Sequence, residues 1–178
     1  LGNIGQTVVL TEMVEAVPAG QAWVPQAQGL KDLVAEMNSG RVQLLVILGG
    51  NPVYNTPGDL DFARALDKVA LRVHLSLHDD ETSALCHWHV PATHYLESWS
   101  DGRAWDGTCT IAQPMIMPLY DGKSAHDVVA VLTGQNDKSD HDLVMDTWKK
   151  RWAARAQDPA LQLAMPATSF PEFWNRAL

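Results

Sequence analysis

Val42-Gln43-Leu44-Leu45-Val46-Ile47-Leu48-Gly49-Gly50-Asn51-Pro52 is the stretch on which the fold of this 178-residue chain turns. Six of its first seven residues are apolar, the near-continuous run of a strand covered on both faces, which is the habit of parallel sheets. Gly-Gly-Asn-Pro then stops it. Upstream, Leu30, Leu33, Val34 and Met37 fall at i, i+3, i+4, i+7, one face of a helix that Gly40 should end. Downstream, Leu60, Ala63 and Leu66 mark a second short helix. Leu71, Val73, Leu75 and Leu77 then alternate with Arg72, His74 and Ser76, a strand with one more polar face. Gln6-Thr7-Val8-Val9-Leu10 reads as a short buried strand ahead of them, followed by a loop with Pro18, Gly20 and Pro25. The order β-α-β-α-β predicts an α/β fold: a mainly parallel, Rossmann-like sheet with flanking helices, right-handed crossovers and residues 42–48 as its central strand.

Residues 87–121 break the pattern. They are rich in Trp, His, Gly and Pro, have little periodicity, and read as a long loop-rich middle segment with one strand near 108–111. Ser124, with Asp127 in the first turn, should cap a helix through Val128, Val131 and Leu132 to Gly134. A long helix should start near Asp140 and turn Val144, Met145, Trp148 and Trp152 inward, its last turns basic with Lys149, Lys150, Arg151 and Arg155. Ser169-Phe170-Pro171-Glu172 has the form of a capping box opening a terminal helix. The expected domains are an α/β domain over residues 1–134 and a helical extension over 135–178.

Composition narrows the function. Thirteen basic against twenty-one acidic residues give a net charge of −8. Lys149-Lys150-Arg151 is the nearest approach to a basic stripe, so neither a nucleic acid nor an anionic membrane surface is an expected partner. No apolar run approaches the ~20 residues that span a bilayer, so direct membrane insertion is not expected. The start at Leu1-Gly2-Asn3, without Met and without a basic-then-apolar leader, suits an excised fragment or a processed end. The two cysteines, Cys86 and Cys109, are too few for a cubane iron–sulfur cluster, and free thiols are expected in preference to a disulfide.

Two loops are candidate ligand sites. Gly49-Gly50-Asn51-Pro52 leaves the carboxyl end of a strand, where glycines let backbone N–H groups approach a phosphate, although a tight turn needs the same residues. Neither a dinucleotide-binding nor a P-loop glycine pattern is present. Asp79-Asp80-Glu81-Thr82 follows the next strand and would share that sheet edge, although Asp or Thr there also caps a helix in any protein. Cys86, His87, His89 and His94 carry zinc- or copper-type donors, but their spacing matches no standard finger and structural histidines are the simpler reading. A Cys–His nucleophile lacks an orienting third group. Trp88, Trp99 and Trp105 should line a pocket or an inter-domain contact, and Trp148 and Trp152 the core.

Taken in order, Leu48-Gly49-Gly50-Asn51-Pro52, Glu81-Thr82, Val90-Pro91, His94-Tyr95-Leu96-Glu97 and Gln113-Pro114 resemble the landmarks of the molybdopterin oxidoreductase family. The match runs from about Leu44 to Pro118 and more loosely from residue 1 to about Gly134. Glu81-Thr82-Ser83-Ala84-Leu85-Cys86-His87-Trp88-His89-Val90-Pro91 and the Ser-Asp-Gly-Arg-Ala-Trp-Asp-Gly-Thr within residues 97–108 resemble one branch, the large iron–sulfur subunit of bacterial alternative complex III. That resemblance implies a bacterial respiratory complex passing electrons from quinol, held at the membrane on the periplasmic face by other subunits. It implies membrane and cytochrome subunits, and other domains of the parent subunit, as partners. Iron–sulfur clusters would sit on a Cys-rich region outside this chain, and no cofactor is expected in the chain itself. The residues matching the cofactor-proximal motifs are Gly49, Gly50, Asn51, Pro52, Glu81 and Thr82, which this branch would keep as vestiges. Relatives that bind the cofactor carry Ala-Asp where this chain has Cys86-His87. The expectation is a non-catalytic scaffold domain. The rivals are a fragment of a genuine molybdenum bis-pterin oxidoreductase and an isolated metal- or small-molecule-binding module.

Overall fold

A computed structural model describes residues 2–10, 22–104, 108–157 and 168–178. The chain divides into two compact units, one of Ala22–His94 with Pro118–Gly134, the other of Leu1–Gln21, Tyr95–Met117 and Gln135–Leu178. Tyr95–Met117 groups with the C-terminal helices.

The first unit is α/β. Helix α1 (Gln26–Asn38) ends as Gly40 turns to φ +72°, with Arg41 N–H reaching back to Glu36 O at 3.1 Å. Strand β1 (Leu44–Leu48) leads through helix α2 (Pro52–Asn55) and helix α3 (Phe62–Leu66) to strand β2 (Leu71–Ser76). Helix α4 (Glu81–Ala84) precedes strand β3 (Trp88–Pro91). The three strands are parallel in the order β1-β2-β3, with Ile47, His74 and His89 aligned across them. One face carries Leu45 and Ile47 into a core with Val34, Met37, Phe62, Ala65, Leu66 and Val69. Met37 and Leu66 are completely buried there, each worth about 1.5–3 kcal/mol by leaving water. By register, the other face presents only apolar side chains: Leu44, Val46, Leu48, Leu71, Val73, Leu75, Trp88 and Val90.

Helix α5 (Ala125–Leu132) opens on Ser124, whose hydroxyl accepts from Asp127 N–H while the Asp127 carboxylate accepts from Ser124 N–H. The segment before it is tied to the end of β3 by Lys123 N–H to Pro91 O at 2.8 Å and Thr93 N–H to Lys123 O at 3.1 Å.

In the second unit, β4 (Ser100–Arg103) and β5 (Cys109–Ala112) form an antiparallel pair. Helix α6 (Asp140–Ala154) buries Val144, Trp148 and Trp152 at successive i+4 steps against helix α7 (Phe170–Ala177). Phe173 lies 5.4 Å from the Trp152 ring centre and 5.7 Å from that of Trp148. The Arg155 guanidinium stacks 3.4 Å from the Trp152 ring centre, so this residue serves the aromatic core besides the helix terminus. The box at α7 is displaced by one residue: Glu172 N–H donates to Ser169, but the Glu172 carboxylate accepts from Thr168 N–H and Oγ1–H instead.

Four expectations are corrected. Residues 6–10 form no strand: the N–H groups of Gln6, Thr7 and Val8 all turn back to Asn3 O at 3.0 Å, around Gly5 at φ +83°. Among the described strands β2 is central, not β1, and Leu44 and Leu48 at the ends of β1 are exposed rather than covered. The expected polar face of β2 is the more deeply buried one, with His74 at 0% exposure. The loop-rich middle holds two further strands, β3 and β4, and Trp99 stacks on Trp174 at 6.4 Å, while Trp105 lies outside the described residues.

Candidate functional site

The two loops beyond the carboxyl ends of β1 and β2 meet. Gly49 N–H donates to Leu75 O at 2.8 Å, continuing the parallel ladder one residue into the turn. Gly49 and Gly50 both adopt positive φ, +70° and +71°, which makes this turn a place for glycine. A Cβ on either would meet nothing within 4 Å. The turn delivers Asn51 to α4. Its Nδ2 donates to Glu81 Oε2 at 2.6 Å, and its Oδ1 accepts from Thr82 Oγ1 at 2.7 Å. The same Thr82 hydroxyl accepts from Val53 N–H at 3.1 Å. Thr82 is wholly buried, so its hydroxyl stitches the loops together from inside. Pro52 stands at the first position of α2, where its missing N–H costs nothing.

Asp80 caps α4, accepting from Thr82 N–H at 3.1 Å and Ser83 N–H at 2.9 Å. Burial raises its carboxyl, but the Ser83 N–H and the neighbouring His74 outweigh it and hold the group below the usual carboxylate range. The Glu81 carboxyl is also held low, first by the hydrogen bond from Asn51. Neither loop, residues 49–56 or 77–84, contains Lys or Arg, whereas the second contains Asp79, Asp80 and Glu81.

Beneath this corner runs a chain of polar contacts that the motifs did not reveal. His74 Nε2 lies 3.0 Å from Gly50 O and its Nδ1 2.8 Å from Ser83 Oγ, which is 2.7 Å from His89 Nδ1. The one legible signal was an imidazole in the middle of a strand whose other face is apolar.

The Cys-His cluster does not converge. His87 Nδ1 accepts from the Arg72 backbone N–H at 3.2 Å, while His89 turns to Ser83. Among the described residues no group of three or more His, Cys, Asp or Glu side chains could hold a metal ion. Cys86 and Cys109 form no disulfide, and burial pushes the Cys86 thiol up against the opposing pull of Arg72, the reverse of an activated nucleophile.

Comparison with known proteins finds a similarity in sequence to a molybdopterin-binding-like subunit and a similarity in fold to a solved enzyme. The menaquinone reductase molybdopterin-binding-like subunit of Nitratidesulfovibrio vulgaris is 28% identical over 136 residues, covering 71% of this chain and 16% of that subunit. In fold, acetylene hydratase from Pelobacter acetylenicus matches with a TM-score of 0.50 at 19% identity, over 59% of this chain and 16% of the hydratase. No family model matches. The chain therefore spans about a sixth of the length of either relative.

Proposed function

We propose that this chain is a non-catalytic structural domain of a molybdopterin-oxidoreductase-like subunit in a respiratory, quinol-oxidising complex of the alternative complex III type. The observation that carries the reading is the closed corner. Both ends of the Asn51 amide are spent on Glu81 and Thr82, so the motif side chains hold each other instead of a ligand. Their surroundings do not fit the pyrophosphate of a pterin dinucleotide, since three acidic residues and no cation stand on the second loop. The similarity to a menaquinone reductase subunit supports a setting near quinone chemistry. The partners would be other domains of the parent subunit and the membrane and cytochrome subunits, on the periplasmic face. Iron–sulfur clusters would lie elsewhere in the parent. No described helix is long and apolar enough to cross a membrane.

One observation favours the rival, a fragment of a genuine molybdenum bis-pterin enzyme. Gly49 and Gly50 leave open space above the turn, room for a ligand to approach the backbone. The test is the intact complex purified from its native membranes, assayed for quinol oxidation and for molybdenum and pterin content. The expected result is quinol oxidation without stoichiometric molybdenum. One or more molybdenum atoms per subunit, with pterin, would transfer the case to the rival.

A further inference from the structure

The sheet β1-β2-β3 is finished on one face only. Helices α1 and α3 pack on the face of Leu45 and Ile47, and α4 stands over the same face, where Ser83 meets His74 and His89. Two right-handed crossovers stepping in one direction put their helices on one face in this way. The opposite face aligns Leu44 with Leu71, Val46 with Val73 and Trp88, and Leu48 with Leu75 and Val90, and it carries no charged side chain. Of these eight residues only Leu75 is buried, while Leu44, Leu48 and Leu71 are 41–47% exposed and Trp88 is 65% exposed. Helix α5, in the same unit, buries only Ala130.

A parallel sheet is normally covered on both faces, and an apolar face left in water marks a place of association. Its size says with what. The three strands, about 4.8 Å apart and five residues long at about 3.3 Å each, make a face of about 14 by 17 Å, roughly 240 Å². Separate proteins that pair stably bury about 800 Å² on each partner, so two copies stacked face to face fall short by about threefold. A single helix matches. The strand length of about 17 Å corresponds to about three helical turns or 11 residues, and a helix about 10 Å wide covers about two strands. So small a contact holds only when the helix is tethered, because a shared chain supplies the effective concentration that the area does not. This chain spans 16% of the length of each relative, which leaves ample sequence for such a helix.

We propose that the uncovered face of β1-β2-β3 seats one amphipathic helix of about three turns, supplied by a part of the same subunit outside this chain. Its apolar residues recur at i, i+3, i+4 and i+7, and its buried stripe is free of charge, because the face offers a charge no partner. Trp88, the most exposed of the eight, is the residue on which the helix closes. The inference rests on the reading of this chain as one domain of a longer subunit, and not on whether that subunit is catalytic.

The test uses the intact native complex. With Trp88→p-benzoylphenylalanine in the subunit, illumination should cross-link position 88 to a peptide of the same subunit, outside residues 1–178, whose apolar residues follow the helical spacing. A cross-link to another subunit, to a second copy of residues 1–178, or to no peptide overturns the proposal. Leu71→p-benzoylphenylalanine, on the same face, reads the same contact should the first variant fail to assemble. In the unsubstituted complex, hydroxyl radicals should oxidise Trp88 several-fold more slowly in the native state than in urea, and equal rates would leave the face uncovered. A native subunit no longer than this chain would end both the docking and the reading beneath it. Molybdenum in a longer subunit would overturn its non-catalytic role and leave the seat in place.

Discussion

Replacing Thr82 by Val tests whether the two motif loops are one structure. Valine keeps the shape and the β-branch but removes a hydroxyl that is wholly buried and makes two hydrogen bonds, one to Asn51 Oδ1 and one from Val53 N–H. Each such bond is worth about 1 kcal/mol net, and a fully buried group left unpaired costs about 1–3 kcal/mol more. Asn51 and Val53 are only partly buried, so water recovers much of that second cost. The sum is about 2 kcal/mol, a factor of about 30 in an opening equilibrium. Because the chain has two compact units, the readout is local: hydrogen exchange at Tyr54 and Asn55, whose N–H groups donate to Asn51 O at 3.0 and 2.8 Å. Their exchange should quicken about 30-fold, and Thr82→Ser, which restores the hydroxyl, should recover most of the protection. Unchanged exchange in Thr82→Val, or no difference between the Val and Ser variants, would show that the hydroxyl does not join the loops.

The remaining predictions concern charge and reactivity. Asp80 and Glu81 are held below their ordinary values, so their contribution to stability is present above the unfolded carboxylate pKa, about 4, and is lost as pH falls through the lower folded values. Asp80→Ala should cost about 1 kcal/mol of local stability at neutral pH through loss of the α4 cap, with the difference from wild type vanishing in strong acid when followed by exchange at Ser83 and Ala84. Cys86, its thiol raised by burial, should react with iodoacetamide at pH 7 more slowly than the same cysteine in urea. Equal rates would mean that burial does not control it.

What could be read from residues alone was what depends on near neighbours. The i, i+3, i+4, i+7 spacing of α1, the Ser124–Asp127 box and the Trp148–Trp152 stripe are local, and each formed as spaced. Strand order is not local. Residues 44–48 are the most apolar strand, yet β2 takes the centre because β3, only Trp-His-Val-Pro, pairs with its far side. A four-residue strand has too little alternation to be seen without the ladder that stabilises it. The reversed faces of β2 have the same origin, since His74 tolerates burial only because Gly50 O and Ser83, distant in sequence, satisfy both its nitrogens. At the candidate site, Asn51, Glu81 and Thr82 were singled out by the order of motifs, and their side chains meet. Ser83 and His89 were not, because nothing in their spacing from His74 announces a hydrogen-bonded chain.

The ladder bond from Gly49 N–H to Leu75 O has a bearing on how this chain can change length. Because the turn hangs from the last rungs of β1 and β2, one residue deleted between Leu71 and His74 would slide the strand about 3.3 Å and exchange its faces. Leu75 would arrive where His74 stands, and both Gly50 O and Ser83 would lose their imidazole. Residues 57–59 lie outside the ladder and are exposed, and extra residues there meet only the slow cost of a longer loop, about 0.6 kcal/mol per doubling. Insertions are therefore tolerable at 57–59, while within Leu71–Ser76 a single deletion dismantles the corner.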